Sequence, residues 1–160
     1  MPELQRVKMP NAAPVAGNSV APEPLVRRFE IANLNKHGGW IIRRLRQARP
    51  TLSDPQVMAW LKGVIYSNEY LFLYQEHGCA CAQTVREETL ENKPVIRERF
   101  VFAEEGFQAE AASFYSEFAQ WAKNQQVTTM IVEEMTDVPH DLIKERLGRL
   151  FERKQVFARI

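Results

Sequence analysis

Residues 69–85 read EYLFLYQEHGCACAQTV, and the fold turns on how this stretch is divided. Glu69–Gln75 is rich in aromatic and branched residues, the composition of a half-buried strand. Glu76-His77-Gly78 reads as a tight turn, and Cys79–Arg86 (CACAQTVR) returns as the next strand. A polar loop (ETLENK) leads to Pro94–Ala103 (PVIRERFVFA), the third strand of an antiparallel meander. On a strand, Cys79 and Cys81 share one face. The two side by side make no easy bridge and read as small buried residues.

Working outward on the N-terminal side, Leu25–Ala32 (LVRRFEIA) alternates apolar and polar and reads as a strand. Asn33–Asn35 is a capping signal for a helix that includes Trp40, Ile41, Ile42 and Leu45 and stops before Pro50. Ser53-Asp54-Pro55 opens a second helix, with Val57, Met58, Leu61, Val64 and Ile65 on one face, through about Tyr66. On the C-terminal side, Phe107, Ala111, Phe114, Phe118, Trp121 and Ala122 recur at helical spacing up to Lys123-Asn124-Gln125. Val127–Glu133 reads as a strand. Pro139 opens a helix that carries Leu142, Ile143, Leu147, Leu150 and Phe151, with Gly148 inside it. Val156–Ile160 closes the chain as a short strand. The order arm, β, α, α, β, β, β, α, β, α, β is that of one α+β (α/β) domain with a mixed sheet.

Composition sets limits. The chain has 160 residues, 45% hydrophobic, enough for one core without disulfides or metals. Twenty-one Lys and Arg against 20 Asp and Glu leave a net charge of +1, which gives no global attraction to nucleic acid or acidic membrane. No stretch has the length of a membrane span, and the first residues carry no apolar core of a secretory signal. Five of the nine prolines (Pro2, Pro10, Pro14, Pro22 and Pro24) fall in the first 24 residues. Such a segment cannot bury enough apolar surface to offset its ordering entropy. Residues 1–24 therefore read as an extended arm, lying on its own domain or clamped between subunits of an assembly, and 25–160 as the folded domain. The prolines are the candidate partner-binding residues.

EYLFLYQEHGCACAQTV and the terminal RLFERKQVFARI together resemble the GNAT acyltransferase fold, over Leu25–Ile160. The resemblance implies a central mixed, mostly antiparallel sheet flanked by about four helices. In that family the turn after the fourth strand presents backbone N–H groups to the pyrophosphate of acetyl-CoA, a Tyr in the last helix acts as general acid, and a strand carboxylate can act as base. Here the turn is Glu104–Ser113, with Gln108, Ala111 and Ser113 at the family's cofactor-binding positions. No glycine remains at those positions, and Glu104, Glu105 and Glu110 surround them. The Tyr position holds Phe151, which has no proton to give, and Gln155 or Val156 stands where a glycine usually follows. Glu98 and Glu133 are the two carboxylates available as bases, with a reading as solvent-facing strand residues beside it.

These departures resemble degenerate members of the fold found among bacteriophage virion proteins. The expectation is a non-catalytic structural protein without catalytic residues or cofactor, located in the virion or the producing cell's cytoplasm. It would be attached through its arm to other protein subunits in multiple copies, at the tail, at the head–tail junction or inside the particle. An active acetyl-CoA-dependent N-acetyltransferase is the alternative. Cys79, Cys81 and His77 do not complete a zinc ligand set, and His37 and His140 lie on other elements, so no metal is expected. Arg43, Arg44, Arg46 and Arg49, with Arg27 and Arg28 upstream, form a basic face. It reads as solvated or ion-paired rather than as a nucleic-acid surface. Trp40, Trp60 and Trp121 fall on apolar helix sides and read as core.

Overall fold

The computed structural model describes residues 25–86, 92–132 and 135–148. Its five-stranded sheet has the order β1-β2-β3-β4-β5. The strands are β1 (Arg27–Arg28), β2 (Tyr70–Gln75), β3 (Gly78–Arg86), β4 (Pro94–Ala103) and β5 (Met130–Ile131). The helices are α1 (Leu34–Ala48), α2 (Asp54–Tyr66), a single turn α3 (Gln108–Ala111), α4 (Ser113–Asn124) and α5 (His140–Leu147). All strand pairs are antiparallel except β4 with β5, which is parallel. The α+β class and the mostly antiparallel sheet are as the sequence implies.

Alternation along the meander sorts side chains between two helical layers. Leu71, Leu73, Ala80, Ala82, Val101 and Ala103 pack with α3, α4 and α5 through Phe114, Phe118, Ala122 and Ile143. Phe72, Cys79, Cys81, Phe100 and Phe102 pack with α1 and α2 through Ile41, Leu45, Val57 and Leu61. Small residues on β3 are what allow both layers to approach it. Cys79 and Cys81 are free thiols on one face, 1% and 0% exposed. Burial raises the pKa of both well above that of a free thiol, which leaves them inert as packing groups. Trp40, Trp60 and Trp121 are half-buried against these two clusters.

Gly78 begins β3 where a side chain has no room. A Cβ there would lie 2.9 Å from the Phe102 carbonyl oxygen and 3.3 Å from the Phe114 ring. Gly78→Ala is therefore expected to cost about 1–3 kcal/mol by overpacking, read as a lowered denaturation midpoint at unchanged m-value. An unchanged midpoint would show that the β3–β4 contact is looser than this packing requires.

Four elements differ from the sequence reading. The first strand is confined to Arg27–Arg28. Beyond it the Glu30 and Asn33 backbones and side chains bond reciprocally, and Ile31–Asn33 turns into a 3₁₀ helix. The helix expected from Phe107 onward is interrupted at Ala112. The Glu110 carbonyl accepts from Gln75 Nε2 at 3.2 Å and from Ser113 Oγ at 2.9 Å, and the ladder tightens to i→i−3 at Ala112 and Tyr115. The strand expected over 127–133 is ordered as β only at Met130–Ile131. Gln126 takes a left-handed φ of 60°, and Val127 N–H bonds back to the Ala122 carbonyl. Gly148 caps α5 at φ 54° instead of lying inside it. The expected arm (1–24), Glu133, Phe151, Gln155, Val156 and the closing strand 156–160 lie outside the described residues.

Candidate functional site

Two features lie near the C-terminal end of β4, the turn that follows it and the gap beside it. The turn starts when Glu104 N–H donates to the His77 carbonyl at 2.9 Å, tying it to the β2–β3 hairpin. Phe107 N–H then donates to the Glu104 carbonyl at 2.9 Å. Gly106 N–H donates to Gln108 Oε1 at 3.0 Å. The Phe107 ring stacks on His77 with centroids 3.8 Å apart, and Glu104 Oε2 sits 3.4 Å from His77 Nδ1. Gly106 itself has φ 89°, a conformation only glycine adopts without strain.

Each predicted cofactor position can now be placed. Gln108 opens α3, with its side-chain oxygen already engaged on Gly106 N–H. Ala111 is 1% exposed and packs into the core. Ser113 is 4% exposed. Its hydroxyl donates to the Glu110 carbonyl and accepts from Gln75 Nε2. All three lie around one turn, yet two are turned into the protein, and two of the turn's N–H groups are taken by the turn itself. Glu104, Glu105 and Glu110 are exposed around it. A unit anion within about 4 Å of one carboxylate is disfavoured by about 1 kcal/mol even in bulk-water dielectric, and by several-fold more nearer the protein. A helix N-terminus returns only about 0.3–1 kcal/mol. The exposed carboxylates and the two engaged N–H groups weigh against a pyrophosphate at this turn.

A bulge in the β3–β4 pairing lies level with the gap beside β4. The pairing runs Cys81 with Phe100 and then Ala82 with Glu98, so Arg99 is the extra residue and inward-facing parity reverses. Ile96 therefore faces the α4 layer while Phe100 and Phe102 face α1 and α2. Glu98 is consequently 0% exposed, which corrects its reading as a solvent-facing strand residue. A strand covered by helices on both faces has no solvent side. The β4–β5 ladder covers Ile96–Met130 and Arg97–Ile131, and contact resumes only at a bridge between Val101 and Thr136.

Glu98 lies where the strands separate. Tyr115 Oη donates to Glu98 Oε1, Thr136 Oγ1 lies 2.7 Å from Tyr115 Oη, and Val138 N–H donates to Thr136 Oγ1 at 3.2 Å. With Glu98 ionised, the proton order is Val138 N–H to Thr136, Thr136 O–H to Tyr115, Tyr115 O–H to Glu98. Burial, then the Glu98 charge and its hydrogen bond, hold the Tyr115 hydroxyl well above its ordinary pKa. Just beyond, the chain closes onto the β4 edge. Val101 N–H donates to the Met135 carbonyl at 3.0 Å, and Asp137 N–H to the Val101 carbonyl at 2.9 Å. Asp137 Oδ2 accepts from Ala103 N–H and from Arg44 Nη1, both at 2.8 Å, and Oδ1 accepts from Arg44 Nη2 at 2.7 Å. The Arg44 guanidinium also lies 4.4 Å from the Phe102 ring centroid.

Arg44 is thus part of the sheet's closure, and Arg46 pairs with Asp54 at 2.7 Å, so the ion-paired alternative for the basic face holds for both. Tyr115, Thr136 and Asp137 went unread in the sequence. The signal for Tyr115 was a hydroxyl-bearing ring between Phe114 and Phe118, on a helix that also carries Ser113, Ser116 and Glu117. Thr136-Asp137 just before Pro139 looks only like a helix start. Among the described residues no three His, Cys, Asp or Glu side chains are grouped as metal ligands, and no helix is long and apolar enough to cross a membrane.

No family model and no curated protein sequence matches the chain. Solved structures do match, and they define the class. A probable acetyltransferase superposes with TM-score 0.60 at 14% identity, covering 78% of this chain and 88% of that one. Glucosamine-6-phosphate N-acetyltransferase from Arabidopsis thaliana gives 0.56 at 12%, covering 78% and 89%. Aminoglycoside N-acetyltransferase AAC(6')-Iy, in complex with CoA, gives 0.54 at 15%, covering 78% and 86%. The chain has the GNAT N-acetyltransferase fold. At these identities the likeness concerns the fold.

Proposed function

We propose that this chain is a non-catalytic structural or interaction protein built on a GNAT-like body and joined to neighbouring subunits of an assembly through residues 1–24. The observation that carries it is the self-closed turn after β4. Gly106 and Phe107 N–H are spent internally, Ser113 and Ala111 are buried, and three exposed carboxylates belong to the same turn. A body that has given up its anion site while keeping two well-packed layers serves as a scaffold. A Pro-rich arm then supplies attachment at low ordering cost, because proline is already restricted. The resemblance of the turn's departures to degenerate virion members is what favours a bacteriophage particle as that assembly.

A second reading, an acetyl-CoA-dependent N-acetyltransferase with a divergent turn, draws on the acetyltransferases it superposes on and on Glu98 beside the β4–β5 gap. It requires Gln108 to release Gly106 N–H and a pyrophosphate to settle among Glu104, Glu105 and Glu110. In cells producing the assembly, the tagged full chain is expected to cosediment with it. A variant lacking residues 1–24 should give an unchanged near-UV circular dichroism spectrum yet stay in the soluble fraction. Cosedimentation of the shortened variant, or its unfolding, would overturn the attachment role.

A further inference from the structure

The chain's charge is balanced overall but not locally. Helix α1 carries Lys36, Arg43, Arg44 and Arg46 and no acidic residue. Residues 76–78 and 104–113, the hairpin tip and the turn after β4, contain four glutamates and no Lys or Arg. Between the outer side of α1 and the 50–54 loop lies an open groove of about 510 Å³. Ile42 and Pro50 give it apolar walls, and Gly39 adds no side chain. Its two arginines differ in engagement. Arg46 is fixed by Asp54 at 2.7 Å and by the Leu52 carbonyl at 2.8 Å. Arg43 is exposed and has no carboxylate partner among the described residues. The chain's own turn does not supply one. The Glu104 charge reaches His37, in the first turn of α1. Arg43 stands six residues on, about 9 Å farther along the axis and on a different side of the helix.

We infer that a second copy of this chain docks in the groove, the tip Glu104-Glu105-Gly106 of one copy inserting beside α1 of the next with a carboxylate on Arg43. The tip suits the groove: all three residues are exposed, and nothing lies within 4 Å of where a Gly106 side chain would start. The Arg43 guanidinium offers a planar fork that matches a carboxylate in geometry as well as charge. The two surfaces lie on different parts of the chain, so the contact is heterologous and repeats from copy to copy. Exposed ion pairs are individually weak and screened by salt, which makes the association modest in affinity and electrostatic in character. It uses the folded body and not residues 1–24, so it stands or falls apart from attachment by the arm.

Sedimentation velocity of the full chain over a concentration series tests it. At about 50 mM NaCl the weight-average sedimentation coefficient is expected to rise with concentration, and at about 500 mM the association constant should fall at least about tenfold. Arg43→Glu and the double variant Glu104→Gln/Glu105→Gln should each be monomeric. Lys62→Glu, the same change of charge on the exposed side of α2, should associate as the parent does. Mixed together, the two monomeric variants should form a one-to-one dimer and nothing larger, since one intact pair of surfaces remains between them. A parent that stays monomeric would leave the groove to a different acidic partner and overturn the assignment. So would association that ignores salt, that persists in both variants, or that does not return on mixing them.

Discussion

Asp137→Ala is expected to lower the stability of the domain by about 2–3 kcal/mol, or about 5–10 °C in Tm for a chain of this length. One carboxylate here satisfies three donors, the two Arg44 nitrogens and Ala103 N–H. Removing it leaves a half-buried cation and a backbone donor without partners, which costs more than a hydrogen bond is worth. The figure is set below the range for a fully buried pair because the two side chains remain 26% and 23% exposed. Asp137→Asn keeps an acceptor for Ala103 and should recover part of the loss. Arg44→Ala should be milder, since Asp137 keeps its backbone donor and some water, though the Phe102 contact goes too. A double-mutant cycle by urea unfolding should return a coupling of about 1–2 kcal/mol. Additive losses would mean that the pair does not fasten the 135–138 segment to β4.

Tyr115→Phe should cost about 2–3 kcal/mol, a large loss for a single oxygen atom. The hydroxyl is a donor to Glu98 at a point that is 0% exposed, and the phenylalanine ring leaves that carboxylate less satisfied inside the core. There is also a signature in pH. The folded-state pKa of Tyr115 is raised above that of the unfolded chain. Its contribution is therefore fully present below the unfolded value of about 10 and is lost as the pH rises beyond it. Unfolding at alkaline pH should be steeper for the parent than for Tyr115→Phe. Equal slopes would place the titrating group elsewhere.

Much of the fold could be read from periodicity because its elements are local. Pro94–Ala103 forms β4 with the bounds expected, and Ser53 caps α2 through the Gln56 N–H, with Pro55 in its first turn. What failed is what depends on distant partners. The break at Ala112 needs Gln75, thirty-five residues before the Glu110 carbonyl it takes. The burial of Glu98 needs the bulge at Arg99, and a bulge is invisible in a strand pattern that still looks alternating. Arg44 looked like one of several surface arginines because its partner lies ninety-three residues on. The candidate turn was legible in type, acidic and without family glycines, whereas its closure by Gln108 and Glu104 is a matter of geometry alone.

The proposal that this chain works without acetyl-CoA turns on the 104–113 segment, and acetyl-CoA binding tests it most directly. Calorimetric scans of the full chain at about 1 mM acetyl-CoA are predicted to leave Tm unchanged, since no affinity means no linkage. A dissociation constant near 10 μM would instead stabilise the chain by about 2.7 kcal/mol, raising Tm by about 5–10 °C. A saturable rise of that size, lost on Gln108→Ala or on blocking the turn, would contradict the account and favour the transferase reading.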